Sequence, residues 1–262
     1  MRTGFIAITL ATCGYVFMLA PLAIVGILSF TASDYLQFPP PALSFRWYRA
    51  LLENTPILAA IRTSLILAAI VTLVALAAGI PAALAVARRQ APAFVAGLLS
   101  LPLLMPTLVI GLALLMVLQP LGLLATWPGL ALGHLMVVLP FVTRLLVTAF
   151  TARPPELEDA AATLGAPPWQ AFLFITVPLA TPGIVAAATL SFLLSFDETV
   201  ISLFLVGPRL ATLPTTLFHY AENRVDPLLA ALAVTLIAFA LLTVLAVDRL
   251  VGITRTLGAP NA

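Results

Sequence analysis

The sequence predicts an all-α, polytopic membrane protein with six transmembrane helices, and three observations predict it. The 262 residues are 62% hydrophobic and only 8% charged, with a mean hydropathy of +1.16, whereas about a quarter of the residues in soluble domains are charged. Six apolar runs lie near residues 5–30, 61–87, 94–118, 130–150, 183–206 and 228–248, each long enough for a hydrocarbon core that takes about 20 residues of helix. The runs lack the period of barrel strands, and a spanning helix satisfies its backbone within its own segment. Residues 1–262 read as one transmembrane domain.

The first run reads as an uncleaved span. Leu10–Gly14 resembles a lipoprotein cleavage box, but Thr12 is a poor residue before Cys13 and the apolar stretch continues to Phe30, beyond the 7–15 residues of a signal-peptide core. Cys13 is the single cysteine, so no disulfide forms within the chain. Residues 31–60 make the longest outer loop. Pro39, Pro40 and Pro41 favour an extended polyproline piece, and SFRWYRALLEN (Ser44–Asn54) reads as a short amphipathic helix. It lies at the membrane interface with Trp47 and Tyr48 among headgroups, or it is a plain surface helix.

Several spans carry helix-perturbing prolines: Pro21, Pro81, Pro102, Pro106, Pro120 and Pro140. Membrane helices tolerate single prolines because neighbours re-satisfy the freed carbonyls. The Pro102/Pro106 pair in LPLLMPTLVIG (Leu101–Gly111) reads either in that way or as a bend around a translocation path. Ala77, Ala78, Gly79, Ala82 and Ala83 permit close helix approach. The second outer loop, 207–227, is bounded by Gly207-Pro208 and Asp226-Pro227 turns.

Residues 151–182 interrupt the spans with a polar insert. Glu156, Glu158 and Asp159 open it, Ala160, Ala161 and Ala162 follow, Gly165 stops the turn, and Phe172, Ile175 and Pro178 come after. Acids suit the positive end of a helix dipole, and small alanines let another surface come close. The layout is that of a helical knob gripped by another protein.

In the fifth run, Asp197 and Glu198 stand side by side within LSFLLSFDETVISLFLVG. A charge at the bilayer centre costs about 2.5–3.5 kcal/mol on insertion scales, so the pair needs a polar cavity, a cation or a proton. Two readings are open: a cation-attracting position on a solute route, or a structural partner for Arg144 in the fourth run.

Enzymatic chemistry is poorly supported. All 12 basic residues are Arg; without Lys the chain cannot hold the GxxxxGK[ST] loop that cradles a nucleotide. His134, His219 and Cys13 are too few and dispersed for a zinc site, and neither HExxH nor GxSxG is present. No catalytic residue, metal or bound cofactor is assigned. With the N-terminus inside, Arg2, Arg88, Arg89, Arg153, Arg249 and Arg255 fall on the cytoplasmic side, against Arg46, Arg49, Arg209 and Arg224 outside, the direction of the positive-inside rule.

The insert resembles the EAA loop of bacterial ATP-binding-cassette importer permeases: EAA, three residues, Gly, nine residues, Ile, any residue, Leu-Pro. Gly165, Ile175 and Pro178 keep the spacing; Asp159 stands in the place of the Glu and Val177 in that of the Leu. Nearly the whole chain is similar to the C-type permease of spermidine/putrescine importers, through SFRWYRALLEN, GHLMVVLPFVTR (Gly133–Arg144), PLATPGI (Pro178–Ile184), SFDETVISLFLVGP (Ser195–Pro208), LPTTLF (Leu213–Phe218) and DPLLAALA (Asp226–Ala233). The resemblance implies the type I importer permease fold with a cytoplasmic coupling helix and both termini in the cytoplasm of a bacterium, the protein sitting in its inner membrane. Glu156, Glu158, Asp159, Ala160, Ala161, Gly165, Ala166, Ile175 and Pro178 then belong to ATPase coupling, and Ser195, Asp197, Glu198, Pro102 and Pro106 to the translocation path. The implied partners are a pair of ABC ATPases carrying ATP and Mg, a second permease of B type, and an extracytoplasmic binding protein. The implied solute is a polyamine or related small cation; relatives of this branch carry iron, opines or aminophosphonates. A channel or secondary carrier working without ATP is the competing class.

Overall fold

A computed structural model describes residues 2–88, 90–152, 154 and 156–251, with backbone alone at residues 2–6, 93, 96, 250 and 251. Arg89, Arg153 and Arg255, three of the arginines counted for orientation, lie outside the described residues, as does the side chain of Arg2. Among the described residues the architecture is helical; the extended pairings are isolated bridges, Thr31 with Leu43 and Gly207 with Leu210. Among the described residues five helices are long and apolar enough to cross a membrane, or six if one sharply bent pair is counted as a single span.

The chain divides into two compact units, Met1–Ala59 with Thr216–Leu241, and Ala60–Thr215 with Leu242–Ala262. In the first, α1 (Arg2–Leu28) is apolar on every side and exposed over residues 7–24, the character of a helix that faces lipid or another chain. The segment after it is tied down. The Ser29 hydroxyl donates to the Gly26 carbonyl at 2.7 Å and meets the Tyr48 hydroxyl at 2.8 Å, while the Phe30 ring packs on Phe45 and Tyr48 at 5.2 and 5.1 Å. The amphipathic helix expected there is α2 (Arg46–Glu53), with Leu51 buried. Trp47 donates to the Ser33 carbonyl at 3.2 Å, and Arg46 pairs with Asp34 while lying 4.6 Å over the Trp47 ring. Further along, Asp226 caps the helix that begins at Pro227 by accepting the Leu228 N–H at 3.0 Å, and also accepts the Tyr220 hydroxyl at 2.6 Å. Burial and then the Asp226 carboxylate push that phenol up to about 12, so it stays a donor.

The second unit holds the main core. Helix α3 (Thr55–Ala87) is followed by α4 (Ala93–Ser100), a 3-10 turn at Leu101–Leu104 and α5 (Thr107–Leu118). Then come α6 (Trp127–Thr151), α7 (Glu156–Thr163), α8 (Pro168–Ala171), a π-helical turn at Phe172–Thr176, α9 (Val177–Asp197) and α10 (Val200–Leu205). Leu67, Val71, Val138, Val142, Leu146, Ala187, Ile201 and Leu205 make its buried centre. Helices α6 and α9 run antiparallel, because His134 meets Ser195 while Ala149 meets Gly183 fifteen residues further along α6. A Cβ on Gly183 would stand 2.3 Å from the Ala149 Cβ, and one on Gly133 2.4 Å from the Leu205 side chain. Glycine there is what lets the helices touch.

The run 94–118 is bent at its proline pair: α4 with its 3-10 turn meets α5 at 104°. Pro102 sits in the tight turn and Pro106 precedes the first residue of α5; each lacks an N–H, so the ladder cannot be continuous there. The run 183–206 is displaced: the helix starts at Pro168 and ends at Asp197, and α10 is a separate element. Glu198 turns extended, with ψ 106°, and its carboxylate accepts the Ile201 N–H at 3.0 Å, so a new helix starts where the apolar pattern alone runs on.

Candidate functional site

The polar insert folds as the sequence suggests. Three acids occupy the first turn of α7, where the dipole favours them. Gly165 has φ +85°; the Ala166 N–H reaches the Ala161 carbonyl at 3.0 Å and the Gly165 N–H the Ala162 carbonyl at 2.9 Å. Those two bonds are a Schellman closure, which takes a left-handed residue at the position of Gly165. Pro167 and Pro168 then turn the chain into α8. A side chain at 165 would meet nothing within 4 Å, so the requirement for Gly comes from the backbone rather than from space.

Helix α7 has two faces. Glu156, Asp159, Ala160, Thr163 and Leu164 are exposed at the i, i+3, i+4, i+7 spacing of one helix side. Leu164 is 89% exposed and Trp169, just past the turn, 58%, so a small apolar knob carries acids at its base. Glu158 and Ala161 are half-buried instead and face the chain's own spans. The Glu158 carboxylate takes an N–H from Arg88, the residue after α3, at 2.8 Å. Its other oxygen accepts the hydroxyl of Thr176, which is fully buried in the π-helical turn. Ala166 and Ile175 are half-buried and Pro178, in the first turn of α9, is exposed.

A second polar group lies where α9 gives way to α10. His134 on α6 is fully buried, with Nδ1 2.9 Å from the Ser195 hydroxyl and Nε2 2.9 Å from that of Ser202. The Ser202 hydroxyl donates to the Glu198 carbonyl at 2.8 Å, so its oxygen accepts from Nε2–H, and the singly protonated ring accepts from Ser195 at Nδ1. Ser195 and Glu198 are thereby joined through α6 and α10, with the Glu198 carboxylate used in capping. Asp197 is exposed. Pro102 and Pro106 belong to the α4–α5 bend.

The pairing of these acids with Arg144 does not occur. Arg144 is ten residues beyond His134 on α6, about 15 Å along the axis at 1.5 Å per residue, toward the end of α6 that meets the start of α9. Among the described residues no ion pair joins it to Asp197 or Glu198. It lines a cavity of about 260 Å³ with Val86, Ser100, Pro140, Thr143 and Thr148. The participants that pattern reading misses are Leu164, Arg88, Thr176, His134 and Ser202. Leu164 has a local signal, an apolar residue just before the closing Gly; the others depend on contacts between positions distant in sequence.

Residues 75–254 match the family described as binding-protein-dependent transport system inner membrane component. The chain is 31% identical over 236 residues to the putrescine transport system permease protein PotI of Escherichia coli, covering 86% of this chain and 83% of that one. It is 30% identical over 261 residues to the spermidine/putrescine transport system permease protein PotC of the same organism, covering 98% and 96%. Among solved structures, a bacterial ABC transporter involved in the import of the acidic polysaccharide alginate superposes with a TM-score of 0.74 at 15% identity, over 95% of this chain and 96% of that one. The MetNI methionine ABC transporter gives 0.63 at 18% identity, over 74% and 94%; at such identities these two speak for the fold alone. The chain belongs to the inner membrane components of binding-protein-dependent transport systems, as a permease subunit of an ATP-binding-cassette importer with the type I fold.

Proposed function

We propose that this permease imports a polyamine or a related small cation, delivered by an extracytoplasmic binding protein and driven by ATP hydrolysis on separate cytoplasmic subunits. The observation that carries the coupling half of this reading is the exposed face of α7, with Leu164 at its tip and Asp159 at its base, presented between two apolar helices. A pair of ATPases carrying ATP and Mg grips it, on this reading, through Glu156, Asp159, Ala160 and the Gly165–Ala166 turn, with Ile175 and Pro178 passing the movement into α9. The chain itself holds no cofactor and acts as one permease domain across residues 1–262, beside a second, B-type permease chain. Both termini face the cytoplasm of a bacterial cell, on the side of α7, consistent with the placement of the arginines.

The substrate half rests on likeness to PotI and PotC and on Asp197. This acid is exposed at the end of a span, and neither a cap nor Arg144 takes it up. On this reading the exposed carboxylate faces the solute route, where an anionic group suits a cationic solute. Ser195 and Glu198 hold the helix break beside it, and on the same reading Pro102 and Pro106 belong to that route. The test is a transport assay with the cognate binding protein against polyamines, amino acids, aminophosphonates and ferric ion. Saturable uptake of putrescine or spermidine supports the reading; uptake confined to an anionic or ferric substrate removes it and leaves the family assignment intact.

A further inference from the structure

We propose that Glu158 is a positioning residue that fastens α7 to the ends of two spans at once, through Arg88 at the close of α3 and Thr176 ahead of α9, so that displacement of α7 reaches both. The proposal rests on α7 being the helix that the ATPase grips, and it takes Glu158 out of that grip. Both oxygens of its carboxylate are committed inside the chain, one to Arg88 at 2.8 Å and one to the Thr176 hydroxyl. Helix geometry separates the tasks. Glu158 and Ala161 share the half-buried side, while Asp159, Ala160, Thr163 and Leu164 occupy the exposed one, about 100° away for the neighbouring residue.

Thr176 gives the independent sign that this contact is built. Helical threonines elsewhere in the chain return their hydroxyl to the carbonyl four residues back: Thr143 to Leu139 at 2.8 Å, Thr181 to Val177 at 2.8 Å and Thr189 to Val185 at 2.8 Å. Thr176 instead gives its hydroxyl to a carboxylate eighteen residues away, although it is fully buried. It lies at the end of the π-helical turn Phe172–Thr176. An inserted residue of this kind displaces the local carbonyls and re-aims side chains. On the other side, Arg88 continues the last turn of α3, its N–H bonded to the Leu84 carbonyl at 2.9 Å, a position where a cation complements the helix dipole. The pair is partly screened from solvent, with 35% and 27% of the two side chains exposed, and the same carboxylate holds the buried Thr176 hydroxyl, so it is part of a network rather than an isolated surface ion pair.

The experiment uses the reconstituted importer with its ATPase and binding protein, and compares Glu158→Gln, Arg88→Gln, Thr176→Val, the double change Glu158→Gln/Arg88→Gln, and the exchange Glu158→Arg/Arg88→Glu. Two quantities are read: ATPase copurified per permease, and solute imported per ATP hydrolysed. Each single change is expected to leave the ATPase attached and to lower import per ATP by about fivefold or more, the scale of coupling between sites. The double change should be no worse than the more severe single one, since residues of one network do not add, and the exchange should recover part of the loss. The assignment is overturned if Glu158→Gln releases the ATPase while Arg88→Gln and Thr176→Val stay fully coupled, or if the losses add. If Arg88→Gln fails to insert, Glu158→Gln with Thr176→Val carries the same comparison. Intact uptake in Gly165→Val and Asp159→Lys would instead remove the gripping role of α7, an outcome separate from both.

Discussion

Gly165 shows how one residue sets the shape of the exposed knob. At φ +85° an L side chain costs roughly 1–2 kcal/mol, and a β-branched one strains further, though nothing crowds the site. Gly165→Val should therefore leave the protein inserted but open the turn and abolish uptake, while Gly165→Asn, which tolerates left-handed backbone, should retain much of it; ATPase copurification together with uptake checks this. Asp197 and Glu198 should separate in the same way. Glu198→Ala removes the cap on α10 and is expected to cost about 0.5–2 kcal/mol, seen as a lower melting temperature in detergent. Asp197→Asn should leave melting unchanged and reduce uptake of a cation. A loss of stability in Asp197→Asn would take that residue off the route. Gly165 was legible in the sequence because a Schellman closure is local: three alanines, a Leu and a Gly in order suffice. The fate of Glu198 was less so, since capping and route-lining use the same carboxylate and only the break in the helix distinguishes them. His134 looked isolated for another reason: its partners Ser195 and Ser202 lie 61 and 68 residues away, and no periodicity brings them together.

At the scale of elements, hydropathy placed the long helices and misjudged where they break. Pro102 and Pro106 marked the bend of α4 into α5, but not its 104° angle, which depends on how both pieces pack against the rest of the unit. The α9–α10 break was hidden because Val200–Leu205 is as apolar as the span before it; the capping carboxylate, rather than polarity, divides them. The start at Pro168 of the long helix that ends at Asp197 was hidden by the opposite effect, since proline at a first helical turn costs nothing yet reads as a stop. The small residues read from the sequence lie on α3, where a Cβ on Gly79 would stand 3.1 Å from Val142; the close approach of α6 and α9 at Gly183 and Ala149 was not marked by the pattern. Gly183→Ala places a methyl 2.3 Å from the Ala149 Cβ, and overpacking of this kind costs about 1–3 kcal/mol. Its melting temperature in detergent should fall, and Ala149→Gly should restore part of it. An unchanged melting temperature in Gly183→Ala would show that α6 and α9 do not approach so closely.

For the whole molecule, composition and the insert at 151–182 carried the functional class, because an apolar chain without Lys cannot itself hold a P-loop and the insert offers a face to a partner. The fold match over 95% of the chain and the family match over residues 75–254 agree with that class. What composition could not convey is the division of labour within the insert, where one acid points outward and its neighbour is bound to Arg88 and Thr176. The central claim is ATP-driven import through this chain, and proteoliposomes test it most directly. Uptake of labelled putrescine or spermidine should require the permease pair, the ATPase, ATP and the loaded binding protein together, and should disappear with Gly165→Val. Solute crossing through this chain at the same rate without ATPase or ATP would contradict it.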